Sequence, residues 1–400
     1  MSRIAKLIMV TAVNNNKFYD MTEEGDQIYV KYGRVGNSYV ATASYHSSRW
    51  NSLLKSKIRK GYKDVTDLRI IDEEVIDFQI IENDAISQIV TELQSLANKS
   101  VQKNYTVSSE AVTQKQVEEA QKILDSLAKL SALTKRKLNA SNFNDLLLDL
   151  YQVIPRRMGN VRDHLWAGEK EEAEHIVADE QATLDVMKGQ VRVNSVKKTN
   201  KADDKKTILE AMGLEITAVD DDDIRTIKKE LGEISNKFRR AFKIVNKRTQ
   251  NKFDEFIKKS KNKSRKLFWH GSRNENWWSI LDGGLTLRPT NAVITGKMFG
   301  YGLYFADKAR KSYGYTSCRG SYWARGSSNK GFMALYDVHL GHTLTEKRHN
   351  SWMSSLTDKK LKERGDYDSL SALGGADLRN NEFIIYNEQQ CTVKYLVEVD

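Results

Sequence analysis

The residues from Leu267 to Tyr315 constrain this chain more than any other stretch. They read LFWHGSR, then a mixed segment, then TGKMFGYGLYFADKARKSYGY. Three apolar residues, Leu267, Phe268 and Trp269, are followed at once by His270 and Gly271, the pattern of a buried strand that ends where polar chemistry begins. Gly296, Gly300 and Gly302 then let the backbone bend closely around something. Ser312, Tyr313 and Tyr315 close the segment with a hydroxyl and two flat rings. A backbone amide, a hydroxyl and stacked aromatics together suit a planar ring that carries an amide.

One of the acids late in the chain complements this pattern. Glu382 opens the strand-like run Phe383 to Tyr386, where a backbone ladder would hold it in place. Taken together, WHGSR, GLYFAD and NNEFIIY, followed by VKYLVEV, resemble the signature of the poly(ADP-ribose) polymerases, the ADP-ribosyltransferases that consume NAD⁺. The resemblance implies that His270, Tyr304 and Glu382 frame an NAD⁺ site. It also implies that Gly271, Ser312, Tyr304 and Tyr315 clamp the nicotinamide. NAD⁺ is then a substrate, and no metal is required. Glu382 in the third catalytic position implies polymer formation. Two departures bear on that step: Tyr301 replaces the basic residue usual in the GKG turn, and the segment between His342 and Asn380 is short. The alternatives are a mono-ADP-ribosyltransferase and a catalytically inactive DNA-binding protein.

The N-terminal residues read as β-rich, with strands over Ile4–Val10 and Gln27–Lys31 and a hairpin about the turn GRVGN. From Lys31 to Lys63 there are eight Lys or Arg and no Asp or Glu, interleaved with Tyr32, Tyr39, Tyr45, Trp50 and Tyr62. Basic charge mixed with aromatics is the composition of a surface that meets phosphate and sugar, and the chain's net charge of +11 points the same way. KYGRVG is similar to the WGR module of the DNA-dependent members of the family. That implies contact of Tyr32 and Arg34 with DNA strand breaks, Tyr32 standing where the module has Trp.

Beyond Asp84 the apolar residues take helical spacing: Ile86, Ile89, Leu93 and Leu96; Val117, Ala120, Leu124 and Leu127; Phe143, Leu147 and Leu150. LYQVIPRRMG, Leu150 to Gly159, resembles the family's helical regulatory domain. A polar Lys/Asn/Asp stretch from Val193 to Lys206 reads as a linker. Asp220 to Asp223 read as acids at the start of a helix, carried on by Ile227, Leu231, Ile234, Phe238, Phe242 and Val245. His339 and His342 lack a third ligand and read as structural.

The expected fold class is α+β. Residues 1–80 form a WGR-like nucleic-acid-binding module, 83–200 an all-α regulatory bundle and 201–400 a catalytic domain of two packed antiparallel sheets. Two cysteines make no disulfide framework, and no apolar run reaches the roughly 20 residues that span a bilayer. An intracellular protein is expected, nuclear in a eukaryote or in the cytoplasm or nucleoid of a bacterium or phage. Its expected partners are broken DNA and protein acceptors of ADP-ribose, the chain itself included.

Overall fold

The computed structural model describes residues 3–69, 78–104, 112–133, 137–199, 206–288, 298–318 and 328–400. Gly296 and most of the Val193–Lys206 linker's polar centre (200–205) lie outside the described residues. The chain divides into two compact units, one of residues 1–74 and 98–194, the other of residues 75–97 and 195–400. Secondary structure is mixed α and β throughout. Among the described residues no helix is long and apolar enough to cross a membrane.

The first unit opens with an antiparallel meander: β1 (Ile4–Thr11), β2 (Asn15–Glu24), β3 (Gln27–Arg34) and β4 (Ala41–His46). The β1–β2 turn is tight enough to place Asn14 at φ 71°, a left-handed conformation that Asn tolerates. Alternation sets the inner face: Ile28 and Val30 are buried, while the alternating residues Tyr29 and Lys31 face out. Leu7, Tyr19, Met21 and Trp50 complete that core, Trp50 coming from α1 (Trp50–Arg59).

The helices of this unit follow the stripes and caps in the sequence. One helix, Gln114–Ser131, begins with a complete capping box between Thr113 and Gln116 and buries Val117, Ala120, Leu124 and Leu127. The next, Ala140–Val153, is capped by Asn139 and buries Phe143, Leu147 and Leu150. The segment after it packs against the meander. Asn16 donates to the Arg156 carbonyl at 2.9 Å, and the Arg156 guanidinium pairs with Glu180 at 2.7 Å.

Among the described residues the second unit holds two sheets. The first runs in the order Leu214–Ala218, Phe238–Asn246, Cys391–Val399, Gly331–Val338, Lys266–Gly271, and every neighbouring pair is antiparallel. The second runs Thr343–Glu346, Ser369–Ala372, Glu382–Ile385, Leu303–Phe305. Here the expectation of antiparallel sheets needs correction, because the first two of these strands pair in parallel. The chain between them includes the helix Asp358–Gly365, and a crossover of that length is what parallel neighbours require. Trp269 and Ala306 exchange both backbone hydrogen bonds, at 2.8 and 2.9 Å, and so tie the sheets together.

The acids at Asp220–Asp223 do open a helix, Asp221–Leu231, with Asp220 as its cap. The expected helical continuation to Val245 does not occur. Gly232, at φ 54°, ends the helix, and Phe238–Asn246 is a strand that buries Phe242, Ile244 and Asn246 by alternation. The i, i+4, i+7 spacing of Phe238, Phe242 and Val245 was thus a coincidence of a strand rich in β-formers.

Asn246 is 1% exposed and uses its amide fully. Its Nδ2 donates to the carbonyls of Leu281 (2.7 Å) and Asp282 (2.6 Å), and its Oδ1 accepts from the Arg248 and Thr249 amides at the start of the next helix. Asn246→Ala would strip the helix cap and the Leu281 carbonyl of a partner at once, while the Asp282 carbonyl keeps Arg248. The expected loss is roughly 2–4 kcal/mol, read as a lower urea midpoint for the second unit.

Candidate active site

The strand Lys266–Gly271 places its last two residues, His270 and Gly271, opposite Ala334 and Met333. The Trp269–Ala306 bridge brings this strand end beside the strand Leu303–Phe305, so the His270 ring reaches the Tyr304 carbonyl at 3.1 Å. A carbonyl can only accept, so Nδ1 carries the proton and neutral His270 presents Nε2 as an acceptor.

Burial lowers the His270 pKa, with the Tyr304 carbonyl opposing more weakly. Unfolded His270 takes up a proton as pH falls through its ordinary value of about 6.5, while folded His270 does so only at lower pH. Its contribution to stability is therefore complete above that value and declines as pH falls towards the folded pKa. His270→Asn should flatten the part of a thermal-stability profile that lies below about pH 6.5, and a profile unchanged by the substitution would count against a neutral ring.

Gly271 lies against a short helix, Ala309–Tyr313. A Cβ built on Gly271 would stand 2.0 Å from the Ser312 carbonyl oxygen, so only glycine permits this approach. Ser312 is buried, and its carbonyl accepts the Tyr315 amide at 3.0 Å. The preceding residue, Lys311, pairs with Glu382, both side chains being 16% exposed. This one helix thus touches Gly271 through Ser312 and Glu382 through Lys311.

Glu382 opens the strand Glu382–Ile385, paired with Ala372 on one side, while Ile384 pairs with Tyr304 on the other. Its predecessor Asn381 is anchored twice, donating to Asp307 at 2.7 Å and accepting from the Gly374 amide at 2.8 Å. Phe268 and Phe383 stack at 4.3 Å between centroids and keep the two strand ends together. Tyr315 is 41% exposed, and partial desolvation of its hydroxyl, with the Glu382 charge adding to it, raises its pKa. Tyr304 is held by its own hydroxyl, which donates to the Gly300 carbonyl at 3.1 Å and accepts from the Phe299 amide at 3.3 Å.

The six residues read from the sequence for this site are therefore linked through a chain of direct contacts. Tyr32 and Arg34 belong to the first unit. Tyr32 is 39% exposed, with its ring 5.7 Å from that of Tyr19. Arg34 donates to the carbonyls of Asn14, Met158 and Gly159 at 2.9–3.1 Å. Lys311 escaped the sequence reading. Its only signal was a cation next to Ser312, indistinguishable from a solvated lysine until the strand bearing Glu382 is placed beside it. Asn276 was also missed: it donates to Ser272 at 3.0 Å just after Gly271, and its buried Oδ1 has no partner among the described residues.

Residues 221–400 match the family model of the poly(ADP-ribose) polymerase catalytic domain. A poly [ADP-ribose] polymerase-like protein, 100L of Invertebrate iridescent virus 6, is 30% identical over 183 residues, which is 44% of this chain and 93% of that protein. The chain belongs to the poly(ADP-ribose) polymerase family. Uncharacterized protein 101L of the same virus is 35% identical over 202 residues, 50% of this chain and 82% of that protein. Poly [ADP-ribose] polymerase 2 of Homo sapiens is 34% identical over 160 residues, 34% of this chain but 26% of the human protein. As a family member the chain is an ADP-ribosyltransferase whose substrate is NAD⁺.

Proposed function

We propose that this polymerase-family member transfers ADP-ribose from NAD⁺ to protein side chains, extends the product into chains, and is stimulated by DNA breaks. The observation that carries the catalytic part is the Lys311–Glu382 pair, set on the same short helix whose Ser312 carbonyl lies against Gly271. In this reading Gly271 offers its backbone and Ser312 its hydroxyl to the carboxamide, and Tyr304 and Tyr315 enclose the ring. His270, through Nε2, accepts from the adenosine-ribose 2′-hydroxyl. Glu382 accepts from the nicotinamide-ribose 2′-hydroxyl. The bond from C1′ to the nicotinamide nitrogen breaks and nicotinamide leaves with the electron pair. Negative charge at Glu382 then stabilises the cation-like ribose, as carboxylates do in glycoside hydrolysis. An acceptor oxygen bonds to C1′ and gives up its proton. Chain extension repeats the step with a ribose hydroxyl as acceptor, oriented by Glu382.

Stimulation by DNA rests on the first unit. Tyr29, Tyr32 and Tyr39 expose 49%, 39% and 78% of their surface there, beside a basic stretch without acids. Exposed rings with cations suit stacking on bases and sugars and contact with phosphate. Arg34 adds a route inward, since its guanidinium holds two carbonyls of the segment resembling the regulatory domain.

Labelled NAD⁺ supplied with and without nicked DNA tests all of this. Ladders that lengthen with DNA are expected. Single bands would mean mono-transfer, and label insensitive to DNA would remove the stimulation. In Arg34→Glu the rates with and without DNA should converge, and retained stimulation would clear Arg34 of the role.

A further inference from the structure

Apart from the cluster around His270 and Glu382, the second unit contains a cavity of about 260 Å³, near the lower end of small-molecule sites. Tyr336 lines it. That residue is 1% exposed and its hydroxyl has no hydrogen-bond partner among the described residues. Buried polar groups are ordinarily paired, so an unmet phenol beside a cavity points to a partner that binds there. Burial pushes the Tyr336 pKa well up, which keeps the hydroxyl protonated and able to donate. The same ring packs edge-on against His270, with centroids 6.0 Å apart, so a single side chain separates the cavity from that imidazole.

The rest of the lining has two characters. Leu281, Leu285 and Leu287 supply an apolar wall. Arg248 and Lys252, one turn apart on the helix Lys247–Lys259, supply positive charge. Arg248 is steadied by donation to the Asp282 carbonyl, and Lys252 makes no ion pair among the described residues. The carboxylate here, Glu388, accepts the Leu287 amide at 2.6 Å. The first amides of the helix are taken by Asn246, so the attraction for an anion comes from side chains.

We propose that this cavity binds a single-ring aromatic anion, its ring on the leucine wall, its charge at Arg248 and Lys252, and a hydrogen-bonding atom at Tyr336. The site is separate from the nucleotide site, and the proposal does not depend on the residue roles assigned above.

The test is a ligand-detected NMR titration of the full chain with 4-hydroxybenzoate, alongside benzoate, which lacks the hydroxyl, and phenol, which lacks the charge. Saturable binding is expected in the order 4-hydroxybenzoate, benzoate, phenol. Arg248→Gln with Lys252→Gln should weaken 4-hydroxybenzoate on the order of tenfold, the worth of one charge-assisted hydrogen bond. Both cations are exposed, so this variant keeps the fold. Tyr336→Phe should weaken 4-hydroxybenzoate and leave benzoate unchanged. Binding should persist under saturating NAD⁺, with Glu382→Gln used to suppress turnover. Absence of saturable binding, indifference to the double substitution, or displacement by NAD⁺ would each overturn the proposal.

Discussion

Glu382→Gln is expected to slow ADP-ribosyl transfer on the order of 10²–10³-fold, the usual cost of removing one preorganised group that meets developing charge. Glutamine keeps the size of the side chain and one oxygen, so the strand register opposite Ala372 and the stacking of Phe383 on Phe268 should survive. What disappears is the negative charge opposite a ribose that becomes cationic as nicotinamide departs. Binding of ground-state NAD⁺ should change far less, because a carboxylate matched to a cationic transition state acts mainly on turnover. Lys311 complicates the comparison, since glutamine leaves its ammonium without the opposite charge. Lys311→Met combined with Glu382→Gln separates the two effects. If the double variant is as slow as the single one, the loss belongs to Glu382. Turnover of labelled NAD⁺ and its affinity by calorimetry are the two measurements. A large loss of affinity with turnover per bound NAD⁺ preserved would show that Glu382 acts in binding.

Gly271→Ala should be nearly as damaging, through affinity instead of turnover. The added methyl would stand 2.0 Å from the Ser312 carbonyl oxygen and 2.8 Å from its carbon. Both are backbone atoms, so no side-chain rotation relieves the clash. The helix Ala309–Tyr313 has to move, and it carries Ser312 and Lys311 with it. Overpacking of this kind costs roughly 1–3 kcal/mol. The larger consequence is misplacement of the groups assigned to the carboxamide, and NAD⁺ affinity is expected to fall by on the order of 100-fold. The strand carrying Gly271 is paired along its length, so the second unit should stay folded and thermal melting should shift by only a few degrees. Wild-type affinity in a folded Gly271→Ala protein would remove Gly271 from the nicotinamide clamp.

Much of this could be read from the chain before any coordinates. Helical stripes and caps rest on contacts three or four residues apart, so Thr113 with Gln116 and Asn139 ahead of Phe143 were legible. The abrupt change from Leu267–Trp269 to His270–Gly271 marked a strand end because burial and polarity switch within one residue there. Other features were not local. Phe238, Phe242 and Val245 fit a helix as well as a strand, and the strand won through pairing with Leu214–Ala218 and Cys391–Val399. The parallel pairing of Thr343–Glu346 with Ser369–Ala372 left no mark in either segment.

The order of residue types along the chain thus determined where the capped helices begin and which of their faces are buried, because those depend on side-chain identity and on neighbours within a turn. Only the tertiary structure decided that Lys311 meets Glu382 across 71 positions, that Arg34 is spent on carbonyls of Met158 and Gly159, and that Tyr336 stands between His270 and the cavity lined by Arg248 and Lys252. Those are meetings between strands and helices far apart in the chain. Packing sets them through the exclusion of water and the pairing of buried backbone, and neither leaves a local pattern to read.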